Sequence, residues 1–214
     1  MLLALDLDGT LIDARARQVA VARHAVKQVT ARTLKDHTFW ELKRAGASTE
    51  QALVRLGYTR ALAREIASAW AREIEADRWL ELDRALPDAR EVLAGLRAEG
   101  VASAVITARR RADGAERSLA LAGLRELVDE LLVVEPAEAV EGKTAHLMRL
   151  GAVAFVGDTD ADGQAAALAA TPFVAVATGQ RSPGLLRALG HTVAPTLREA
   201  VAMALENARA YAPA

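Results

Sequence analysis

The chain has no cysteine, and that absence removes disulfides, thiolate metal centres and a cysteine nucleophile together. It also has little bias of charge. Its 27 Lys and Arg against 28 Asp and Glu leave a formal net charge of −1, so no overall field points to nucleic acid or to an anionic membrane. Arginines are frequent but mixed with Glu and Asp, as on a solvated helical surface. No apolar run approaches the length of a membrane span. The opening "MLLALDLDG" lacks a basic leader and meets aspartate at once, unlike a secretory signal. No repeat and no low-complexity linker interrupts the chain. These exclusions predict a cytoplasmic protein, monomeric or homodimeric, in which 214 residues form one domain or one domain with a smaller insert.

What is present begins with carboxylates. "GDTDADGQ" (157–164) sets three aspartates at alternate positions before a glycine, the opening of an EF-hand calcium loop. Such a loop needs a bidentate glutamate at its twelfth position, and that position is Ala169. The preceding "AVAFV" (152–156) is a short apolar run of strand type rather than an amphipathic helix. The loop therefore belongs at the end of a buried strand, where α/β proteins place ligand sites.

The wider pattern agrees. "LLALDLDGT" is a strand ending in carboxylates and glycine. From about 14 to 82 the chain turns helical, with predicted helices near 14–32, 49–56 and 60–78 and turn residues between them. "LPDAREVLAGLRAEG" (86–100) has Pro in its first turn and Gly at its end, the usual helix asymmetry. Strand-like runs then appear at 101–107, 130–134, 152–156 and 173–177, separated by helical runs near 113–123, 142–150, 161–170 and 182–190. Strands alternating with helices imply a parallel sheet covered on both faces. The predicted architecture is an α/β protein: a doubly wound, Rossmann-like core (1–13 and 83–214) with an all-helical insertion (14–82).

Four features fall at the carboxyl ends of predicted strands or just beyond, where a parallel sheet gathers them into one crevice. They are "DLDGT" (Asp6 to Thr10), Thr107 at the end of "SAVIT", Lys143 at a helix start, and Asp158 with Asp162. In that order they resemble the four motifs of the haloacid dehalogenase-like hydrolase superfamily, phosphoglycolate phosphatase-like members included, and the insertion resembles its helical cap. The resemblance runs the length of the chain. It implies a Mg²⁺-dependent phosphatase of a small phosphorylated metabolite, with Asp6 as the nucleophile that forms an aspartyl-phosphate. It also implies Mg²⁺ held by the side chains of Asp6 and Asp158 and by the backbone carbonyl of Asp8, with Asp162 a ligand or an anchor. Asp8 is then the general acid and base, and Thr107 and Lys143 hold phosphate oxygens.

The chemistry of the residues is consistent with this. A carboxylate attacks phosphorus only if both negative charges are screened, and Mg²⁺, which prefers carboxylates, phosphate and water in octahedral array, screens them. Backbone N–H groups around Leu7 to Gly9 would add a phosphate nest that Gly9 permits sterically. An aspartate at both positions 6 and 8 favours phosphoryl transfer over dehalogenation, because a halide leaves without a proton. Asp13 is expected to cap the next helix, and Asp160 to face solvent.

Substrate selectivity is expected from the insertion. In "KDHTFWELKRAG" (35–46), Phe39 and Trp40 suit a helical core and Lys43 and Arg44 either a solvated face or an anionic substrate group. Arg109 in "ARRR" (108–111) stands where it would pair with a second phosphate or a carboxylate. A phosphomutase, a pyrophosphatase or nucleotidase of the same fold, and a non-catalytic binding protein are the alternatives. Against the last stands the cost of gathering like charges without a cation.

Overall fold

The computed structural model describes residues 1–210. The chain opens with β1 (Leu2–Leu5), turns on the Leu7 carbonyl, which accepts from the N–H groups of Thr10, Leu11 and Ile12, and adds the short β2 (Ile12–Asp13). Five helices follow: α1 (Arg15–Val29), α2 (Asp36–Arg44), α3 (Thr49–Arg55), α4 (Arg60–Glu73) and α5 (Asp77–Leu80). The chain returns through β3 (Arg84–Ala85), which pairs antiparallel with β2, so the two connections to the helical insertion run side by side. Then come α6 (Ala89–Ala98), β4 (Ala102–Ala108), α7 (Ala112–Leu121), β5 (Glu130–Val134), α8 (Ala139–Leu150), β6 (Ala154–Gly157), α9 (Asp160–Leu168), β7 (Phe173–Val176), α10 (Pro183–Ala188), β8 (Val193–Ala194) and α11 (Leu197–Ala210).

Six strands form a parallel sheet in the order β5-β4-β1-β6-β7-β8. Alternate side chains serve its two faces. Leu3, Leu5, Val105 and Val156 pack with α6, α7 and α11, while Ala4, Ile106 and Phe155 pack with α8 and α9. This two-sided burial explains why the strands read as continuous apolar runs. The expected doubly wound α/β core is present. The insertion carries a separate cluster: Val19 and Ala22 of α1, Phe39 and Trp40 of α2, Leu53 of α3, and Ile66 and Ala69 of α4. Among the described residues, no helix is long and apolar enough to cross a membrane.

Local signals account for several boundaries. Ser48 and Gln51 form a capping box at α3, and Thr159 and Asp162 form another at α9. Gly151 takes a left-handed φ of 56° and ends α8. Asp13, expected to cap α1, lies one residue before the N-cap; that position is Ala14, without a side-chain cap, and Asp13 Oδ1 accepts from Arg15 N–H in a local turn. Other elements carry too little pattern to read. The two-residue strands β2, β3 and β8 are too short for a period, and α11 lies beyond the last motif. The helix expected over 60–78 ends instead at Glu73. There Arg17 Nη1 takes the Ile74 carbonyl, and Glu75 turns to other partners, so tertiary bonds replace the helical ladder.

Candidate active site

Three adjacent strands set the site. Asp6 follows β1, Thr107 lies in β4 on one side, and Asp158 follows β6 on the other. Asp6 N–H donates to Val156 carbonyl at 2.9 Å, which fixes the two acidic strand ends level with each other. Asp6, Asp158 and Asp162 are buried, and each offers an oxygen within 4.8 Å of the others. Lys143, only 3% exposed, comes in from α8 and donates to Asp6 Oδ1 at 2.6 Å and Asp162 Oδ1 at 2.5 Å.

Three carboxyl groups and one ammonium leave this pocket short of positive charge. Burial pushes Asp6 up to about 7, against the pull of the Lys143 ammonium and with the help of Asp162. Burial, with Asp6 and Asp162 beside it, also holds Asp158 well above the carboxylate range. For Lys143 burial works against the charge, but Asp162 and Asp6 more than offset it and keep the ammonium above the ordinary lysine value. Asp158 Oδ1 is buried with no hydrogen-bond partner, an unusual state for a polar atom. Its other oxygen accepts from Gln180 N–H at 2.5 Å. An all-oxygen, acidic cluster with one ammonium for three carboxyls and an unpartnered Asp158 Oδ1 fits a small divalent cation of the Mg²⁺ class. Asp6 and Asp158 would supply the ligands.

Glycines make the closeness possible. A Cβ at Gly179 would stand 2.0 Å from Asp158 Oδ2, and one at Gly9, where φ is +91°, would stand 2.4 Å from it. Thr178 Oγ1 donates to the Gly9 carbonyl at 2.7 Å and ties the two loops together. The stretch 178–182 thus touches the site directly through Gln180 N–H. Nothing in its sequence marks that N–H, since any non-proline residue provides one.

The structure redistributes several expected roles. Asp162 is less a free ligand than an anchor: Oδ1 holds Lys143, and Oδ2 accepts from Thr159 N–H and Oγ1. Gly9 N–H donates to the Ile12 carbonyl at 2.7 Å, so its amide is spent within the turn rather than offered to a phosphate. Leu7 is buried at the same turn. Thr107, 1% exposed, lies near the end of β4. Asp160, expected to face solvent, is partly exposed, pairs with Arg181 at 2.7 Å and is not in the acidic cluster.

Asp8 and Arg109 differ most from expectation. Asp8 turns to Arg17 and Arg109, each 2.6 Å from Oδ1. Although burial works to raise its pKa, Arg109 and then Arg17 hold its carboxyl well below the usual range. As it stands it is a fixed anion rather than a ready acid. Arg109 is only 2% exposed, and Asp8, Asp83, the Gly114 carbonyl and Ser118 engage all three of its nitrogens. It therefore has no donor to spare for a substrate. The pairing of Arg17 with Asp83, 66 residues apart, left no trace in the sequence.

In the insertion, Arg44 Nη1 donates to the Gly179 carbonyl at 2.7 Å and serves as a strut to the core. Lys43 is not on a solvated face. It is 6% exposed, bonded only to Thr49 Oγ1 at 3.2 Å and stacked over Trp70, with no carboxylate partner among the described residues. Burial, with Arg181 nearby, lowers it to about 8.

Comparisons with known proteins agree with this geometry. The sequence profile of the haloacid dehalogenase-like hydrolases matches residues 3–176. Curated protein sequences give no match. Among solved structures, a haloacid dehalogenase-like family hydrolase from Streptococcus pneumoniae superposes with a TM-score of 0.77 at 16% identity, covering 94% of this chain and 97% of its own. A predicted phosphoglycolate phosphatase from Haemophilus somnus gives 0.69 at 19%, covering 94% and 96%. A protein described as a beta-phosphoglucomutase from Thermotoga maritima gives 0.65 at 17%, covering 96% and 98%. At such identities the likeness establishes the fold, while the profile match over most of the chain establishes more: this protein belongs to the haloacid dehalogenase-like hydrolase family.

Proposed function

We propose that the protein is a Mg²⁺-dependent phosphatase that hydrolyses a small phosphorylated metabolite through an aspartyl-phosphate on Asp6. The observation that carries this reading is the meeting of Asp6 and Asp158, from opposite ends of the chain, within 4.8 Å in a buried pocket. Asp6 Oδ1 is held by Lys143, which leaves Oδ2 to attack phosphorus. A Mg²⁺ between Asp6 and Asp158 would screen the charges of nucleophile and phosphate. Lys143 offsets part of the pocket's negative charge and would donate to a phosphate oxygen, and Thr107, near the end of β4, would offer its hydroxyl to another.

In the first half-reaction the Asp6–phosphorus bond forms as the phosphorus–oxygen bond to the alcohol breaks, and Asp8, which takes up a proton on leaving its arginines, delivers it to the departing oxygen. In the second, water attacks the aspartyl-phosphate, Asp8 takes a proton from it, and Asp6 is regenerated. Both steps require Asp8 to give up part of its arginine contacts. The helical insertion, read as a cap over 14–82, would carry selectivity by closing on the site. Of the basic residues considered for that task, Lys43 alone combines burial with the lack of a carboxylate partner, and it is the one we assign to an anionic substrate group.

The structural likeness to a protein described as a beta-phosphoglucomutase favours a phosphomutase as the second reading, in which the phosphoryl group passes to a sugar. Product analysis separates the two: free phosphate against isomerised sugar phosphate. The primary test is Asp6→Asn. It should lower Mg²⁺-dependent phosphate release from a panel of phosphate monoesters by at least ~10³-fold with the fold intact. Release at the wild-type rate would refute the reading.

A further inference from the structure

Behind Asp8 lies a group that the reaction described above does not use. The Asp8 carboxylate is bound on both oxygens: Oδ1 accepts from Arg17 Nη2 and Arg109 Nη2, both at 2.6 Å, and Oδ2 from Arg109 Nε at 3.1 Å. Both guanidiniums then continue to Asp83. Arg17 Nε donates to Asp83 Oδ1 at 2.7 Å, and Arg109 Nη2 lies 3.5 Å from Asp83 Oδ2, which also accepts from Ser118 Oγ at 3.0 Å. Two arginines and two aspartates thus alternate in one small cluster, with both arginines and Asp83 at most 2% exposed. Asp8 is the most open member, its side chain 22% exposed.

We propose that Asp83 is a positioning residue for Asp8, acting as the second anion of the cluster so that Asp8 can leave its arginines and turn to the substrate. A buried guanidinium that loses its only carboxylate is costly, so Asp8 could not depart if it were the sole partner of both. Asp83 removes that obstacle, because Arg17 Nε and Arg109 Nη2 stay bonded to it when Asp8 swings away. Arg17 belongs to α1 of the insertion and Arg109 directly follows β4, so a shift of α1 relative to the sheet withdraws one of the three donors on Asp8. Cap position and acid availability are coupled through this cluster.

The proposal rests on the reading of Asp8 as the acid, and its test contains a check of that reading. The ratio of kcat/KM for an alkyl phosphate to that for 4-nitrophenyl phosphate reports the need for a proton at the leaving oxygen, since 4-nitrophenolate departs without one. Asp8→Asn should lower this ratio. Asp83→Asn should lower it about tenfold, because both arginines then close on Asp8 alone. Arg17→Gln removes one donor from Asp8 and leaves Asp83 with Arg109, so it should leave the ratio at or above the wild-type value. A purely structural role for Asp83 would depress both substrates equally, and an unchanged ratio in Asp83→Asn overturns the proposal. A fall in Arg17→Gln also overturns it, and this variant decides if Asp83→Asn does not fold. An unchanged ratio in Asp8→Asn overturns the acid assignment itself and the proposal with it.

Discussion

At the residue scale the controlling fact is the imbalance of charge around Asp6. Its folded pKa of about 7 lies above the ordinary carboxyl value of 3.8, so the folded form binds the proton more tightly than the unfolded one. The resulting stability is fully present below the unfolded value and is lost as pH rises through about 7. Asp158, shifted in the same direction, adds to the loss. A cation bound to both carboxylates reverses it, because binding displaces the protons. Thermal unfolding in chelator should therefore show falling stability between pH 5 and pH 8. The rise in Tm on adding Mg²⁺ should be larger at pH 8 than at pH 5. A Mg²⁺ effect independent of pH would contradict this account.

Lys43 supplies a second test of opposite sign. Burial lowers it from 10.5 to about 8. Folding with a charged Lys43 is penalised below that value, and stability rises as pH climbs from about 8 to above 10. At one pKa unit to ~1.4 kcal/mol, the penalty at neutral pH is on the order of 3 kcal/mol. Lys43→Met should raise stability at pH 7 by about 1–3 kcal/mol in urea unfolding and flatten the alkaline rise. It should also weaken turnover of substrates with a second anionic group. Loss of stability in that variant would argue against a frustrated ammonium.

At the element scale, the helical insertion is held to the core by a few polar contacts. Glu75, between α4 and α5, accepts from Arg110 N–H at 2.9 Å and Arg111 N–H at 2.8 Å, where the chain enters α7. A carboxylate on such amides stabilises a helix start. Glu75→Ala should cost about 1–2 kcal/mol in urea unfolding and increase protease cleavage near residues 74–76, and unchanged stability would count against the strut. Five of the six sheet strands and most of the long helices, α11 excepted, were legible because their apolar runs and periods are sustained. "ELLVV" is strand β5 to the residue, and "LPDAREVLAGLRAEG" holds α6 between its Pro and its Gly. Of the two settings open to Lys43, the solvated face is excluded by its burial over Trp70: spacing shows which face a residue takes, while what covers that face depends on α3 and α4.

At the scale of the whole molecule, the sheet order explains why a site could be read from a linear chain at all. Motifs separated by about fifty to a hundred and fifty residues sit at the ends of β4, β1 and β6, which are neighbours, and parallel topology makes that meeting obligatory. Charge pairing carries no such rule. Arg109 is partnered by Asp8, Asp83 and Ser118 because of how the insertion returns through β3, and no local pattern encodes that path. The insertion also touches the far side of the site, where Arg44 bonds the Gly179 carbonyl and Ser182 N–H bonds the Arg44 carbonyl at 2.8 Å. Contacts on both flanks hold the described arrangement with the insertion against the core.

The central claim is that Asp6 and Asp158 share one divalent cation. Calorimetric titration of the protein with Mg²⁺ measures this directly, comparing wild type with Asp158→Asn. A single binding event in wild type that disappears in the variant is the predicted result. Equal binding by both proteins would contradict it.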